Sequence, residues 1–275
     1  MIKRILVALS GTPFTATATK YALDLAKLHK AEVTGVTDVD IAKLMKVGPV
    51  PVGGGAAAAS LAEHRIHVTA EHVEQAIHDF EQACADAGMI HGVERETGDP
   101  FDRLIALWRY HDLTIAGLRG LFEYGVVQNP DDILIQLISQ GVRPILAVPK
   151  EYRPIRKALV AYNGSMESAK ALKRFVQMNL WPDVAVQIAC FDMPRQEGEA
   201  LIADAAKYCR SHGIVAETQY IDGHPRDALL DHASAGQADL IVLGSTSRAR
   251  IFKRLLGDTA LHCLRNADVP LFLTQ

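Results

Sequence analysis

The run GSTSRARIFKRLLGDTA, Gly244 to Ala260, has a glycine near each end and four basic residues, Arg248, Arg250, Lys253 and Arg254, in between. It follows the apolar stretch ADLIVLG and leads into the helix-patterned LHCLRNA. Glycines let backbone amides approach a phosphate closely, and a helix start supplies unpaired N–H donors with partial positive charge. The chemistry such a loop would do is anion binding. Asp258 opposes it, because a carboxylate about 4 Å from a phosphate charge costs on the order of 4 kcal/mol at an effective dielectric of roughly 20. Unopposed, that is nearly a thousandfold in affinity at ~1.4 kcal/mol per decade. Either the basic residues offset the repulsion, or Mg²⁺ turns the carboxylate into a ligand, or the basic residues are a solvated loop face.

The elements that must position this loop occur twice in the chain. IKRILVALSGT at Ile2 to Thr12 returns as IRKALVAYNGS at Ile155 to Ser165, and TGDPFDRLI at Thr97 returns as DGHPRDALL at Asp222. DLTIAGLRG at Asp112 matches DLIVLGSTS at Asp239, and VRPILAVP at Val142 resembles DVPLFLTQ at Asp268. Four matches in one order define a tandem repeat. Within each half, short apolar runs alternate with stretches of helical period, which predicts parallel strands joined by crossover helices. Strands are expected near 2–9, 32–38, 91–96, 112–117 and 144–148, then near 156–162, 184–191, 215–220, 239–244 and 269–274. Runs such as ILVAL and LIVLG suit strands covered by helices on both faces.

The expected division is a first domain over 1–149, a linker over 150–154 within PKEYRP, and a second domain over 155–275. The first domain carries an insertion near 39–70 after its second strand. Its Gly48-to-Gly55 part, with Pro49, Pro51 and three successive glycines, is expected to form no regular element. It reads as a flap over the sheet's carboxyl edge or as an inert surface loop.

The ordered set of ILVAL-(S/N)-G-(T/S), G-x-P, DL-x-apolar-x-G and VP-apolar, present twice, resembles tandem universal stress protein domains and covers essentially the whole chain. The resemblance implies two Rossmann-like α/β units of the adenine nucleotide alpha hydrolase-like plan. Each would be a five-stranded, mostly parallel sheet flanked by helices, the two packed as a pseudo-dimer whose final strands pair edge to edge. For nucleotide-binding members it implies a loop G-x-x-G-(nine residues)-G-[ST] around the phosphates of ATP and an aspartate after the first strand. Carried onto this chain, Gly244 and Gly257 are in place, Ser247 replaces the second glycine, Asp258 replaces the closing hydroxyl residue, and Thr259 follows to substitute for it. Arg248 lies beside the cradle, Asn163 and Gly164 stand after the first strand where the aspartate is expected, and Cys190 takes the position of the apolar wall for adenine. In the first half Gly117 and Gly120 fit, but Pro130 and Asp131 occupy the closing pair, Ser10 replaces the aspartate and Asp38 stands at the adenine wall. The first half is therefore not expected to be a conventional nucleotide site.

Other constellations yield no catalytic or metal assignment. His64, His67, His72 and His78 lie close in sequence, with His67/Glu71 and Glu74/His78 at i,i+4 spacing, but make no H-E-x-x-H pattern and read as a solvated helix face. Ser10, Ser165, Asp102 and Asp227 lack a G-x-S-x-G elbow and a placed histidine. Ser165 reads as a helix N-cap, Asp102 and Asp227 as first-turn carboxylates after Pro100 and Pro225. Trp108 and Trp181 read as packing residues.

Composition narrows the partners. With 49% hydrophobic and 22% charged residues and a net charge of −3, the chain has no general attraction for nucleic acid or anionic lipid. It offers no membrane-spanning run of roughly 20 apolar residues and no secretory signal, and its four cysteines form no C-x-x-C pair, which together suit a cytoplasmic protein. The resemblance implies a stress-linked regulatory or binding protein, not an enzyme, with its second half as the place for ATP with Mg²⁺ if a nucleotide binds. The alternative is a non-nucleotide scaffold or apolar-ligand binder of the same fold. An ATP-consuming enzyme on this plan rests on fold analogy alone. A homodimer and a protein partner are compatible with the sequence.

Overall fold

In the computed structural model, residues 2–39, 53–97, 100–119, 138, 144–245, 248–250, 253–255 and 257–274 are described. The first repeat forms β1 (Arg4–Ala8), α1 (Thr15–His29), β2 (Glu32–Val39), α2 (Gly55–Asp86), β3 (His91–Thr97), α3 (Pro100–Trp108), β4 (Leu113–Gly117) and β5 (Ile145–Val148). The second forms β6 (Lys157–Ala161), α4 (Met166–Met178), β7 (Ala185–Phe191), α5 (Arg195–Ser211), β8 (Ala216–Ile221), α6 (Pro225–Ala235), β9 (Leu240–Gly244), a small hairpin of β10 (Arg248–Arg250) and β11 (Lys253–Leu255), α7 (Asp258–Asn266) and β12 (Leu271–Thr274). All ten strands expected from apolar patterning are present at the expected places.

The ten form one sheet in the order β3-β2-β1-β4-β5-β12-β9-β6-β7-β8. Every pairing in it is parallel except the central one, where β12 runs antiparallel to β5 with Leu271, Phe272 and Leu273 opposite Ala147, Leu146 and Ile145. Each unit thus contributes five strands, and the last strand of each, otherwise an open edge, covers the other. Strands β4, β5 and β12 are buried at every residue, as helices on both faces require. Two apolar layers result: one includes Val7, Tyr21, Phe80, Leu146, Phe175 and Phe272, the other Leu6, Trp108, Ala147, Ile241 and Leu271.

The repeat extends to single hydrogen bonds. The Asp112 carboxylate accepts from the backbone N–H of Lys3 at 2.7 Å and Arg4 at 3.0 Å. In the second unit Asp239 accepts from Arg156 and Lys157, both at 3.0 Å. The aspartate of each DL motif therefore fastens the start of the neighbouring first strand. Its role is structural.

The segment 150–154 is held along α1. Tyr21 Oη donates to the Arg153 carbonyl at 2.6 Å, and Tyr152 Oη donates to Asp24 Oδ2 at 2.6 Å. Burial pushes the Tyr21 phenol up to about 12. The fully covered ring and its bond to the chain's turning point leave that proton in place at any physiological pH.

The structure departs from expectation in two places. The segment after Gly244 is not wholly a loop: β10 and β11 pair antiparallel with Arg248 opposite Leu255 and Arg250 opposite Lys253. Charged residues hide such a pair from apolar patterning. In the insertion, Gly54 is the N-cap residue and Gly55 the first residue of α2, a 32-residue helix, so the glycine run ends in a regular element. Gly48–Val52 lie outside the described residues. The helix-patterned sequence downstream, with Ala62, Val73, Ile77, Phe80 and Cys84 buried on one face, supplies the stability that the glycine start lacks.

His111 sits at the end of the turn that follows α3, buried, with Nδ1 2.7 Å from the Leu107 carbonyl and Nε2 3.0 Å from Thr34 Oγ1. A carbonyl only accepts, so Nδ1 carries the proton and Nε2 accepts from the threonine. Burial lowers the His111 pKa, the Leu107 bond opposing in part. The unfolded chain takes up a proton near pH 6.5 that the folded chain refuses, so stability is full above that value and falls as pH drops through it. Thermal melts from neutral pH down to about pH 5 are expected to show this fall, and His111→Gln, though less stable at neutral pH, is expected to flatten it. An unchanged slope in the variant would assign the acid sensitivity elsewhere.

Candidate functional site

In each unit the chain leaves the first strand toward one side of the sheet and returns to the fourth strand on the other side. The strand order reverses between β1 and β4 and again between β6 and β9. Crevices at the carboxyl ends of such neighbours are where open α/β sheets take ligands. In the second unit β6 and β9 pair directly, with Val160 opposite Val242. Asn163 and Gly164 after β6 therefore emerge at the same edge as Gly244, the last residue of β9, and Ser245 after it.

Asn163 is exposed, and its Oδ1 accepts the Ser165 N–H at 3.1 Å. Ser165 then caps α4, its Oγ accepting from Ser168 N–H at 3.2 Å. Gly164 has φ +73°, and a Cβ there would come 2.9 Å from Leu201 of α5. At Gly244 a Cβ would lie 2.5 Å from the Glu167 carbonyl carbon and the Ser168 nitrogen. This glycine is thus required by the approach of α4's first turn to the sheet, whatever it does for a ligand. The next residue, Ser245, is fully buried and fastened to the last strand by N–H and Oγ bonds to the Thr274 carbonyl at 2.9 and 3.2 Å. Sequence reasoning passed over it, because its partner is a backbone carbonyl that no side-chain motif announces.

Gly257 is the N-cap residue of α7 with φ −61° and ψ 148°, and its carbonyl accepts from Leu261 N–H at 3.0 Å. α7 leads directly into β12, so its amino end lies at the carboxyl edge of the sheet, with Asp258 exposed in its first turn and Thr259 half-buried. Two helix amino termini, those of α4 and α7, face this edge, and each carries its own first-turn carboxylate, Glu167 and Asp258. Those carboxylates complement the helix dipoles without any ligand. Arg248 is the first residue of β10, and Ser247 lies outside the described residues, as do Gly120, Pro130 and Asp131 of the first unit.

Cys190 is fully buried, with a Cβ on Gly198 placed 3.3 Å from its sulfur and 2.9 Å from the Tyr220 ring. The thiol therefore lies beneath α5. Above it, Tyr220 Oη donates to the Met193 carbonyl at 2.8 Å and the Arg195 guanidinium stacks 4.7 Å from the Tyr220 ring centre. All four cysteines are free and buried, and burial raises each thiol, Cys84 and Cys209 to about 11 and Cys263 to about 12. None is a thiolate nucleophile at neutral pH.

Several of the remaining candidates make contacts within the fold. His67 pairs with Glu71 at 3.4 Å, both side chains exposed, and no cluster of three metal-ligating side chains occurs among the described residues. Pro225 opens α6 with Asp227 in its first turn. Trp108 is buried and Trp181 packs at the rim of the core. Ser10 is buried, its Oγ 2.9 Å from Thr12 Oγ1 and 3.3 Å from Thr15 Oγ1. Among the described residues no helix is long and apolar enough to cross a membrane.

The sequence model of the universal stress protein family matches residues 1–122 and 191–275. Universal stress protein Slr1230 of Synechocystis sp. is 26% identical over 180 residues, 65% of this chain and 63% of its own, so the match spans less than two thirds of that relative. The crystal structure of a universal stress protein from Archaeoglobus fulgidus DSM 4304 superposes with a TM-score of 0.67 at 18% identity, over 99% of this chain and 98% of that one. A universal stress protein solved in complex with cAMP aligns with 45% of this chain and 98% of its own, at 25% identity and a TM-score of 0.40.

Proposed function

The chain belongs to the universal stress protein family, and from that premise we propose that it is a regulatory binding protein whose second unit takes an adenine nucleotide with Mg²⁺ and does not turn it over. The observation that carries the reading is the convergence, at the β6/β9 reversal, of Asn163–Gly164 with a segment that opens at Gly244 and closes on the amino end of α7 at Gly257. The donor set suits phosphate oxygens: the first N–H groups of α7 have no partner within the helix, and Thr259 adds a hydroxyl. Asn163 offers the ribose both a donor and an acceptor. Asp258 and Glu167 bring two carboxylates to the same edge, which favours a nucleotide carrying its cation over a bare polyphosphate.

Those carboxylates also favour the rival reading, a scaffold that has given up nucleotide. Calorimetric titration with ATP and Mg²⁺ separates the two. Saturable heat at about one equivalent, lost when Mg²⁺ is omitted, is expected. Asp258→Ser is expected to weaken the Mg²⁺ dependence and to tighten binding of ATP alone by roughly one to three decades, the scale set by removing a nearby like charge. Silence of both proteins in the calorimeter would overturn the nucleotide reading and leave the scaffold.

A further inference from the structure

The two units solve one packing problem differently. In the first, α1 and α2 lie side by side on the sheet with a cavity of about 320 Å³ between them. Its walls are Thr15 and Thr19 of α1 and Ala76, Asp79, Phe80 and Ala83 of α2, and it ends at Gly11, where the His72 backbone and Cβ close to 3.3 Å of a Cβ built on the glycine.

The equivalent helices of the second unit are α4 and α5, and the repeat gives their correspondence. Equating Ser10 with Asn163 equates Thr19 with Leu172. The helix ends equate Cys84 with Cys209, because Met89 N–H donates to the Cys84 carbonyl at 2.9 Å and Ile214 N–H to the Cys209 carbonyl at 3.0 Å. Ala76 then corresponds to Leu201 and Ala83 to Tyr208. The buried faces agree: Val73, Ile77, Phe80 and Cys84 fall on Gly198, Ile202, Ala205 and Cys209. The sheet agrees too, since Phe80 lies over Gly35, while the register that equates Gly35 with Ile188 sets Ala205 in place of the phenylalanine.

In the second unit the three corresponding residues are large, and Tyr208 reaches across the helix pair. Leu172 is buried, and Leu201 lies 2.9 Å from a Cβ built on Gly164. Tyr208 Oη lies 3.4 Å from Gln177 Nε2, and the Lys173 ammonium sits 5.9 Å from the Tyr208 ring, both partners being on α4. The first unit has a threonine and two alanines where the second has two leucines and a tyrosine. Ala16, His72, Gln75 and Asp79 along the cavity are exposed, so the small residues leave a recess open to solvent between the two helices. The same scaffold thus carries large side chains at these three positions in one unit and small ones in the other.

We propose that the α1–α2 cavity of the first unit binds a small uncharged apolar molecule that carries one hydrogen-bonding group. The volume lies at the low end of the ~300–1,000 Å³ range of small-molecule pockets. Phe80 and the Ala16, Ala76 and Ala83 methyl groups offer the body of such a molecule an apolar wall. At the Gly11 end, Thr12 and Thr15 share the Ser10 hydroxyl, a chain whose protons rotate to donate or accept as the ligand requires. The one carboxylate in the lining, Asp79, accepts from Gln75 Nε2 at 2.8 Å, and no lysine or arginine is among the lining residues. The lining therefore holds no fixed cation to attract an anion. The site is separate from the β6/β9 crevice and stands whether or not that crevice takes a nucleotide.

The test titrates the full chain with the neutral dye N-phenylnaphthylamine and follows its fluorescence. A saturable rise at about one equivalent is expected, undisturbed by ATP with Mg²⁺. The variant carrying Thr19→Leu, Ala76→Leu and Ala83→Tyr, which gives the first unit the side chains of the second, is expected to lose dye affinity by roughly tenfold or more while melting as a folded protein. Should that triple variant fail to fold, Ala76→Leu alone is read in the same way. A wild-type chain that gives no saturable rise, or a folded filled variant that binds the dye as tightly, overturns the proposal.

Discussion

Gly244→Ala is expected to destabilise the protein by about 3 kcal/mol or more and to lower its melting temperature by roughly 6–12 °C. A methyl group there would stand 2.5 Å from both the Glu167 carbonyl carbon and the Ser168 nitrogen, and backbone atoms inside the first turn of a capped helix cannot step aside as a side-chain end does. Relief requires α4 to lift off β9, which pulls on the Ser165 cap and on the packing of Phe175 and Leu172 beneath it. Gly92→Ala is the control: that glycine lies in β3, and a methyl group on it would meet nothing within 4 Å, so the substitution is expected to leave the melting temperature within about 2 °C or to raise it slightly. Equal tolerance at both positions would mean that α4 is not docked at Gly244. The prediction also bears on ligand work, since loss of nucleotide binding in Gly244→Ala would report a displaced helix as readily as a missing phosphate contact. Asp258→Ser, at an exposed position in α7's first turn, avoids that ambiguity.

What the sequence disclosed and what it concealed follow from the physics of each feature. Strands such as ILVAL and LIVLG are legible because a sheet covered on both faces demands apolar residues at successive positions, and the resemblance to tandem universal stress protein domains implied the edge-to-edge meeting of β5 with β12. The β10/β11 pair was not legible, because Arg248, Arg250, Lys253 and Arg254 carry no apolar alternation. The glycine spacing of the candidate site could be read, yet the structure gives Gly244 a packing reason that spacing cannot reveal. Ser245 stayed hidden because its bond is to the Thr274 backbone, 29 residues away. The α1–α2 cavity is invisible in either half alone. It emerges only when Thr19, Ala76 and Ala83 are set against Leu172, Leu201 and Tyr208, and that alignment needs the hydrogen-bonded helix ends to fix its register.

Phe272→Ala tests whether the two units are one cooperative body. Phe272 is fully buried in β12, opposite Leu146 of the other unit across the antiparallel seam, with its ring edge-on to Phe175 at 5.8 Å between centres. Removing a buried phenylalanine costs about 3–5 kcal/mol, or roughly 6–20 °C in melting temperature for a chain of this size. Because β5 and β12 share a hydrogen-bond ladder and the same apolar layer holds residues of both units, the loss is expected to lower a single calorimetric transition as a whole. Leu146→Ala, made from the opposite side of the seam, is expected to shift the same transition by a comparable amount, about 2–5 kcal/mol. Two resolved transitions, with Phe272→Ala moving one and Leu146→Ala the other, would show that each unit melts on its own core and that the seam joins them without coupling them. A single shifted transition in both variants would instead make the seam a route by which ligand binding at the carboxyl edge of one unit stabilises the other.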